Sequence, residues 1–183
     1  LSPLEQLIER GFEIIGIYTQ PDKPRGRGRD LGRTAVKAFA EKTGIEVFQP
    51  TSLKSAESHS QLQLLAPDLI VIAAYGKILP AETLAIPTKG CLNVHPSLLP
   101  RHRGASPVAA TLLAGDKVAG ATIFRVETGV DSGPIIAQQE HNIRFDDNVV
   151  SLTDRLFEEA GKLLISVLPS YLEGNVVPKT QDE

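Results

Sequence analysis

Cysteine is nearly absent from this sequence. Cys91 is the only one among 183 residues, so an intrachain disulfide framework and a cysteine-rich zinc site are both excluded. It flanks a predicted strand and reads as a small buried residue. Long apolar runs are missing too. The longest, Leu69 to Tyr75, falls far below the roughly 18 residues that suggest a membrane span. The opening residues alternate charged and apolar types, with no n-region, h-region or cleavage site of a signal peptide. A soluble, cytoplasmic protein with no membrane partner is expected. Methionine is absent altogether, at position 1 as elsewhere, and the chain opens directly on the helical pattern Pro3, Leu4, Leu7, Ile8, which leads us to expect a further segment upstream. No Gly-x-Gly-x-x-Gly follows a strand and opens a helix, so the fingerprint of a dinucleotide oxidoreductase is missing.

What is present is an ordinary globular composition. Hydrophobic residues make up 42% and charged residues 22%, which sets aside disordered and collagen-like classes. A chain of this length suits one domain with one core. The formal charge of −3 argues against nucleic-acid binding over the whole surface. The charge is nevertheless uneven, because Lys23, Arg25, Arg27, Arg29 and Arg33 face Asp30 alone and are interleaved with Gly26, Gly28 and Gly32. That is a local basic arm on an acidic body.

Along the chain, strands and helices alternate. Leu4 to Arg10 reads as a helix stopped by Gly11, and Glu13 to Tyr18 as a strand. Thr19 to Gly32, rich in Pro, Gly and charge, reads as a long exposed loop. A helix over Thr34 to Lys42, a strand over Ile45 to Phe48 and a helix over Ala56 to Leu65 follow. Asp68 to Ala74, apolar from Leu69 onward, is a strand suited to the middle of a parallel sheet. Leu79 to Ala85 is a short helix, Cys91 to His95 a strand, and Pro107 to Ala114 a helix entered at Ser106. Two strands, Thr122 to Glu127 and Ile135 to Ile143, precede a long helix from Val149 to Leu172 with Asp146, Asp147 and Asn148 as capping candidates. The fold class is α/β, doubly wound, in which ligands gather at the carboxyl ends of strands.

Asn93 and His95 lie two apart on one predicted strand, so their side chains share a face at its carboxyl end. Asp131 sits in Gly129-Val130-Asp131-Ser132-Gly133, where glycines permit a tight bend. A carboxylate within reach of the imidazole would orient it. From spacing alone, a satisfied core histidine and a turn-forming aspartate remain the stronger readings.

Motif context goes further. Asn93-Val94-His95-Pro96-Ser97-Leu98-Leu99-Pro100-Arg101-His102-Arg103-Gly104, followed by Gly129-Val130-Asp131-Ser132-Gly133-Pro134, resembles the 10-formyltetrahydrofolate-dependent formyltransferase family over nearly the whole chain. The resemblance implies a Rossmann-like formyltransferase fold, with a mostly parallel sheet and helices on both faces. It implies transfer of a formyl group from the folate nitrogen of 10-formyltetrahydrofolate to an amine, without a metal. Asn93, His95 and Asp131 would be the catalytic trio. Asn93 and protonated His95 would donate to the oxyanion of a tetrahedral intermediate, a contribution typically of about 10²- to 10³-fold per donor. Asp131 would hold His95 and help move the amine proton. Ser97, Leu98, Leu99 and Pro100 match the folate-contacting stretch of the family's tRNA-using branch.

The arm carries the resemblance to that branch. Thr19-Gln20-Pro21-Asp22-Lys23-Pro24-Arg25-Gly26-Arg27-Gly28-Arg29, with Val36 to Ala40 and Val47 to Pro50 downstream, is similar to the loop and helix with which that branch reaches charged methionyl initiator tRNA. Lys23, Arg25, Arg27 and Arg29 would then contact phosphates. Pro96 and His102 depart from the branch. They are closer to the formyl-folate hydrolase domain of formyltetrahydrofolate dehydrogenases, and the proline also occurs in glycinamide ribonucleotide transformylases. Asn93 argues against the first and the arginine-rich arm against the second. A non-catalytic folate-binding module is the alternative of another class. The resemblance implies a monomer with a catalytic domain over residues 1–175, lacking its first strand, and residues 176–183 as the start of a linker to a further domain.

Overall fold

The computed structural model describes residues 1–25 and 30–182. The elements run α1 (Ser2–Glu9), β1 (Ile17–Tyr18), β2 (Lys23–Arg25), β3 (Asp30–Gly32), α2 (Ala35–Thr43), β4 (Val47–Phe48), α3 (Ala56–Leu65), β5 (Ile70–Ala73), α4 (Ala81–Leu84), β6 (Cys91–His95), α5 (Pro107–Leu113), β7 (Val118–Arg125), β8 (Ile135–Asn142) and α6 (Val149–Leu172). The chain has the Rossmann-like α/β fold expected from its alternation of elements, with a mixed sheet. β1 pairs with β4 and β5 with β6, both parallel. β7 and β8 then extend the sheet antiparallel in the order β5-β6-β7-β8.

Local chemistry sets the element ends. The Thr34 hydroxyl accepts from the Lys37 N–H at the start of α2, and Gly44 closes that helix at φ 73°, a conformation cheap for glycine. Ser55 caps α3 in the same way. Asn148 opens α6 with a capping box, its side chain accepting from Val150 and Ser151 N–H while Ser151 answers the Asn148 N–H. Leu152, Leu156, Ala160, Leu164 and Leu168 recur every four residues along α6 and are all buried. They form the stripe that packs on one sheet face. Leu92, Val94, Ala121, Ile123 and Ile136 present that face, and Leu7 of α1 joins them. Each such leucine contributes about 1.5–3 kcal/mol by burial.

Two differences from the sequence reading matter for function. The strand expected from Glu13 forms a ladder only at Ile17 and Tyr18, and β5 is half-buried rather than enclosed. Both facts have one cause: β1 and β5 belong to separate sheets, and between them lies a cleft of about 460 Å³ lined by Ile14 to Thr19, Leu69 to Tyr75 and apolar residues of α1 and α3. The loop expected from Thr19 to Gly32 contains the antiparallel pair β2 and β3.

Candidate active site

β6 alternates cleanly. Leu92 and Val94 point to the α6 core, so Cys91, Asn93 and His95 share the opposite face. His95 is 4% exposed and stands edge-on to Phe124, ring centroids 6.3 Å apart. Its Nε2 lies 3.1 Å from the His102 carbonyl oxygen. A carbonyl only accepts, so that bond requires the proton on Nε2 and leaves Nδ1 for other work. Nδ1 is 3.7 Å from Asp131 Oδ2. No side-chain hydrogen bond among the described residues involves the half-buried Asn93, which leaves its amide free to meet a ligand.

Asp131 reaches this face from the β7–β8 loop, at φ 47°, a left-handed conformation that aspartate tolerates better than most residues. Its Oδ2 accepts the Gly104 N–H at 2.8 Å. Gly133, two residues on, is required sterically, since a Cβ there would sit 1.8 Å from the Arg125 carbonyl oxygen. The glycine thus serves a close approach of backbone to backbone.

The Ser97–Pro100 turn is held from within. Ser97 is 1% exposed and its hydroxyl donates to the Arg101 carbonyl at 2.8 Å. Thr122 donates to the Ser97 carbonyl at 2.6 Å and accepts the Leu99 N–H at 3.2 Å. Gln138 donates both to the Leu99 carbonyl and to Thr122. Ser97 and Leu99 are therefore buried and internally satisfied, while Leu98 is half-buried and Pro100 exposed. Leu98 lies against Gly120 of β7, where a Cβ would approach its Cδ2 to 2.3 Å. The Arg101–Gly104 segment that follows is braced by Asp116, which accepts from Arg101 at 2.7 Å and His102 at 2.8 Å. The hydrogen bond from His102, with that from Arg101, holds the Asp116 carboxyl below its ordinary value.

The basic arm is tied at its base. Asp22 takes Lys37 Nζ at 2.6 Å and Gln49 Nε2 at 2.8 Å, and these bonds keep its carboxyl below the ordinary value. Gln20 donates to the Tyr75 carbonyl at 2.6 Å, and Thr19 meets Thr34 at 3.0 Å. Lys23 is exposed and Arg25 lies in β2. Arg27 and Arg29 lie outside the described residues.

The sequence reading therefore named residues that the fold brings together, Asn93 and His95 on one strand and Asp131 against His95. It missed the Gly104 N–H, Thr122 and Gln138, and it missed Gln181, which reaches the Asp131 loop from the end of the chain. Gly104 lay inside the quoted motif, so its position carried a signal. Thr122 and Gln138 fell inside expected strands and Gln181 inside the expected linker, with nothing in the residue type to mark a partner.

This geometry sits in a chain that matches the family model described as formyl transferase over residues 3–168. The chain belongs to the formyl transferase family. It is similar to the methionyl-tRNA formyltransferase of Dehalococcoides mccartyi strain CBDB1, 48% identical over 182 residues, covering 100% of this chain and 58% of the relative. Glycinamide ribonucleotide transformylase 1 from Symbiobacterium toebii has a similar structure, with TM-score 0.72 and 27% identity over 92% of this chain and 93% of that one. A formyltransferase from Anoxybacillus kamchatkensis, solved in complex with tetrahydrofolate, shares the fold at TM-score 0.64 and 24% identity, over 92% and 82% of the two chains. The chain thus spans just over half the length of the curated relative it matches. Among the described residues, no helix is long and apolar enough to cross a membrane, and no group of three or more His, Cys, Asp or Glu is placed to hold a metal ion.

Proposed function

We propose that the protein transfers a formyl group from 10-formyltetrahydrofolate to the amino group of methionyl initiator tRNA. The observation that carries the reading is that β6 bears, on one face, Asn93, whose amide is unused among the described residues, and a His95 imidazole whose Nδ1 lies 3.7 Å from Asp131. The acceptor amine attacks the formyl carbon, and the carbonyl oxygen becomes an oxyanion. Asn93 Nδ2–H and the protonated imidazole of His95 stabilise that charge where it develops. Asp131, partly exposed and beside the imidazole, takes the proton leaving the attacking nitrogen, directly or through one water. Collapse of the intermediate breaks the bond to the folate nitrogen, which takes up a proton. Tetrahydrofolate and the formylated amine are the products.

The folate ring would rest on the Ser97–Pro100 turn. Leu98 and Pro100 offer the apolar contact, and Ser97 and Leu99 act by holding the turn rigid. Lys23, Arg25, Arg27 and Arg29 would grip tRNA phosphates from an arm whose base is fixed by Asp22, Lys37 and Gln49. The resemblance of the arm and the named relatives support tRNA as acceptor. Pro96, a residue that also occurs in glycinamide ribonucleotide transformylases, makes glycinamide ribonucleotide the second candidate.

Residues 1–175 would form the body of the catalytic domain of a cytoplasmic monomer, with 176–182 folded back onto it through Lys179 and Gln181. The cleft between β1 and β5 would receive one more parallel strand. The deciding experiment is formylation of methionyl initiator tRNA and of glycinamide ribonucleotide, side by side, with the same folate donor. Faster turnover of the ribonucleotide would overturn the acceptor, and turnover of neither would overturn the activity.

A further inference from the structure

The long final helix is followed by a polar stretch that turns back onto the sheet. Lys179 exchanges both backbone hydrogen bonds with Ile135 at the start of β8, at 2.7 and 2.8 Å. Two residues later Gln181 enters the protein and is 8% exposed. Its Nε2 donates to the carbonyl oxygens of Asp131 at 2.9 Å and Gly133 at 2.7 Å. Its Oε1 accepts from Arg103 Nε at 3.1 Å and Nη2 at 2.8 Å. Carbonyls only accept and guanidinium only donates, so these partners fix which way the amide faces. Both amide hydrogens and the amide oxygen are in use, which is a fully satisfied buried amide.

The neighbours of this amide give it a role. Arg103 stands between His102, whose carbonyl takes His95 Nε2, and Gly104, whose N–H holds Asp131 Oδ2. One short segment therefore touches both His95 and Asp131, and Gln181 ties that segment to the backbone on either side of Ser132. Asp131 sits at φ 47°, a conformation sparsely populated by residues other than glycine, which persists where its surroundings hold it.

We propose that Gln181 is a positioning residue, which locks the Asp131 loop against Arg103 and so sets the spacing of the Asp131 carboxylate from the His95 ring. The proposal rests on the reading of Asp131 as part of the formyl-transfer machinery. It goes beyond that reading by assigning a function to the polar stretch after α6. Gln181 acts through Asp131 and touches no reacting atom.

The near-isosteric change Gln181→Glu separates two roles. It keeps the acceptors for Arg103, so docking of the stretch survives, but it removes both donors and points an acceptor at the carbonyls of Asp131 and Gly133. If Gln181 positions Asp131, turnover falls by about 10- to 100-fold, the scale of a misplacement near 1 Å, while the folate KM stays near its wild-type value. Gln181→Ala should slow the wild-type enzyme but add little in an Asp131→Asn background, because the group it positions has been removed. Thermal melts accompany each variant, and Gln181→Glu serves where Gln181→Ala fails to fold. Wild-type turnover in Gln181→Glu, or equal factors in both backgrounds, overturns the proposal. Wild-type turnover in Asp131→Asn alone overturns the underlying reading of Asp131 instead, so the two failures are distinguishable.

Discussion

Truncating Asn93 to alanine separates chemistry from structure. The side chain is half-buried and no side-chain hydrogen bond among the described residues uses it, so its removal strands no buried partner. The stability cost should be about 1 kcal/mol or less, a fall in Tm of about 2–4 °C for a chain of this size. The rate cost should be larger. An oxyanion donor is worth roughly 2.7–4 kcal/mol, about 10²- to 10³-fold in kcat, because its bond strengthens as charge builds on the oxygen. Folate binding should change little, since the ground-state carbonyl takes a weaker bond. Steady-state kinetics with both substrates varied, beside thermal melts, would give all three quantities. A kcat within about threefold of wild type, or a loss confined to the folate KM, would refute the reasoning and make Asn93 a binding residue.

Other outcomes follow from particular contacts. Gly120→Ala places a Cβ 2.3 Å from Leu98 Cδ2 and 2.5 Å from the Gln139 carbonyl oxygen; overpacking of this kind costs about 1–3 kcal/mol, and the displaced Leu98 should raise the folate KM, so unchanged melting and KM would contradict the seat assigned to Leu98. Burial pushes the Cys91 thiol up to about 12, so iodoacetamide at neutral pH should label it only after denaturation, and rapid labelling of the native protein would contradict its placement. Replacing Arg25, Arg27 and Arg29 with alanine should weaken tRNA use, leave folate binding intact and make the salt dependence shallower by about 0.7–0.9 in log–log slope per lost phosphate contact; an unchanged tRNA KM and slope would return the arm to a solvated loop.

Elements whose evidence is local were legible in the sequence. The helix over Ala56–Leu65 and the strand over Cys91–His95 match their expected bounds, because caps, glycine stops and alternation are written within a few residues. The N-terminal edges were overextended, since Glu13 to Gly16 have strand-forming residues but no strand beside them to complete a ladder. The polarity of β7 and β8 was not legible either, because alternation reports which face is buried and says nothing of direction. The polar braces were hidden for a related reason. A threonine in a strand or a glutamine near a chain end looks the same whether it meets water or, like Thr122, a turn carbonyl at 2.6 Å.

Strand direction is what makes the site depend on distant bracing. β7 runs antiparallel to β6 with Arg125 beside Leu92 and Thr122 beside His95, so the chain leaves β7 at the end of β6 remote from His95. Leu92 and His95 are three residues apart along the strand, about 10 Å at the rise of an extended chain. The loop must climb back over that distance to bring Asp131 to 3.7 Å from the ring. Neither flanking strand supports the loop at the point where Asp131 acts. Its hold comes from outside β7 and β8: the Gly104 N–H on the carboxylate and Gln181 on the carbonyls of Asp131 and Gly133. A carboxylate on a strand would inherit its precision from the ladder. One carried on this returning loop draws its precision from residues 27 and 50 positions away in sequence, so the stretch after α6 belongs to the site as much as the strand that bears His95.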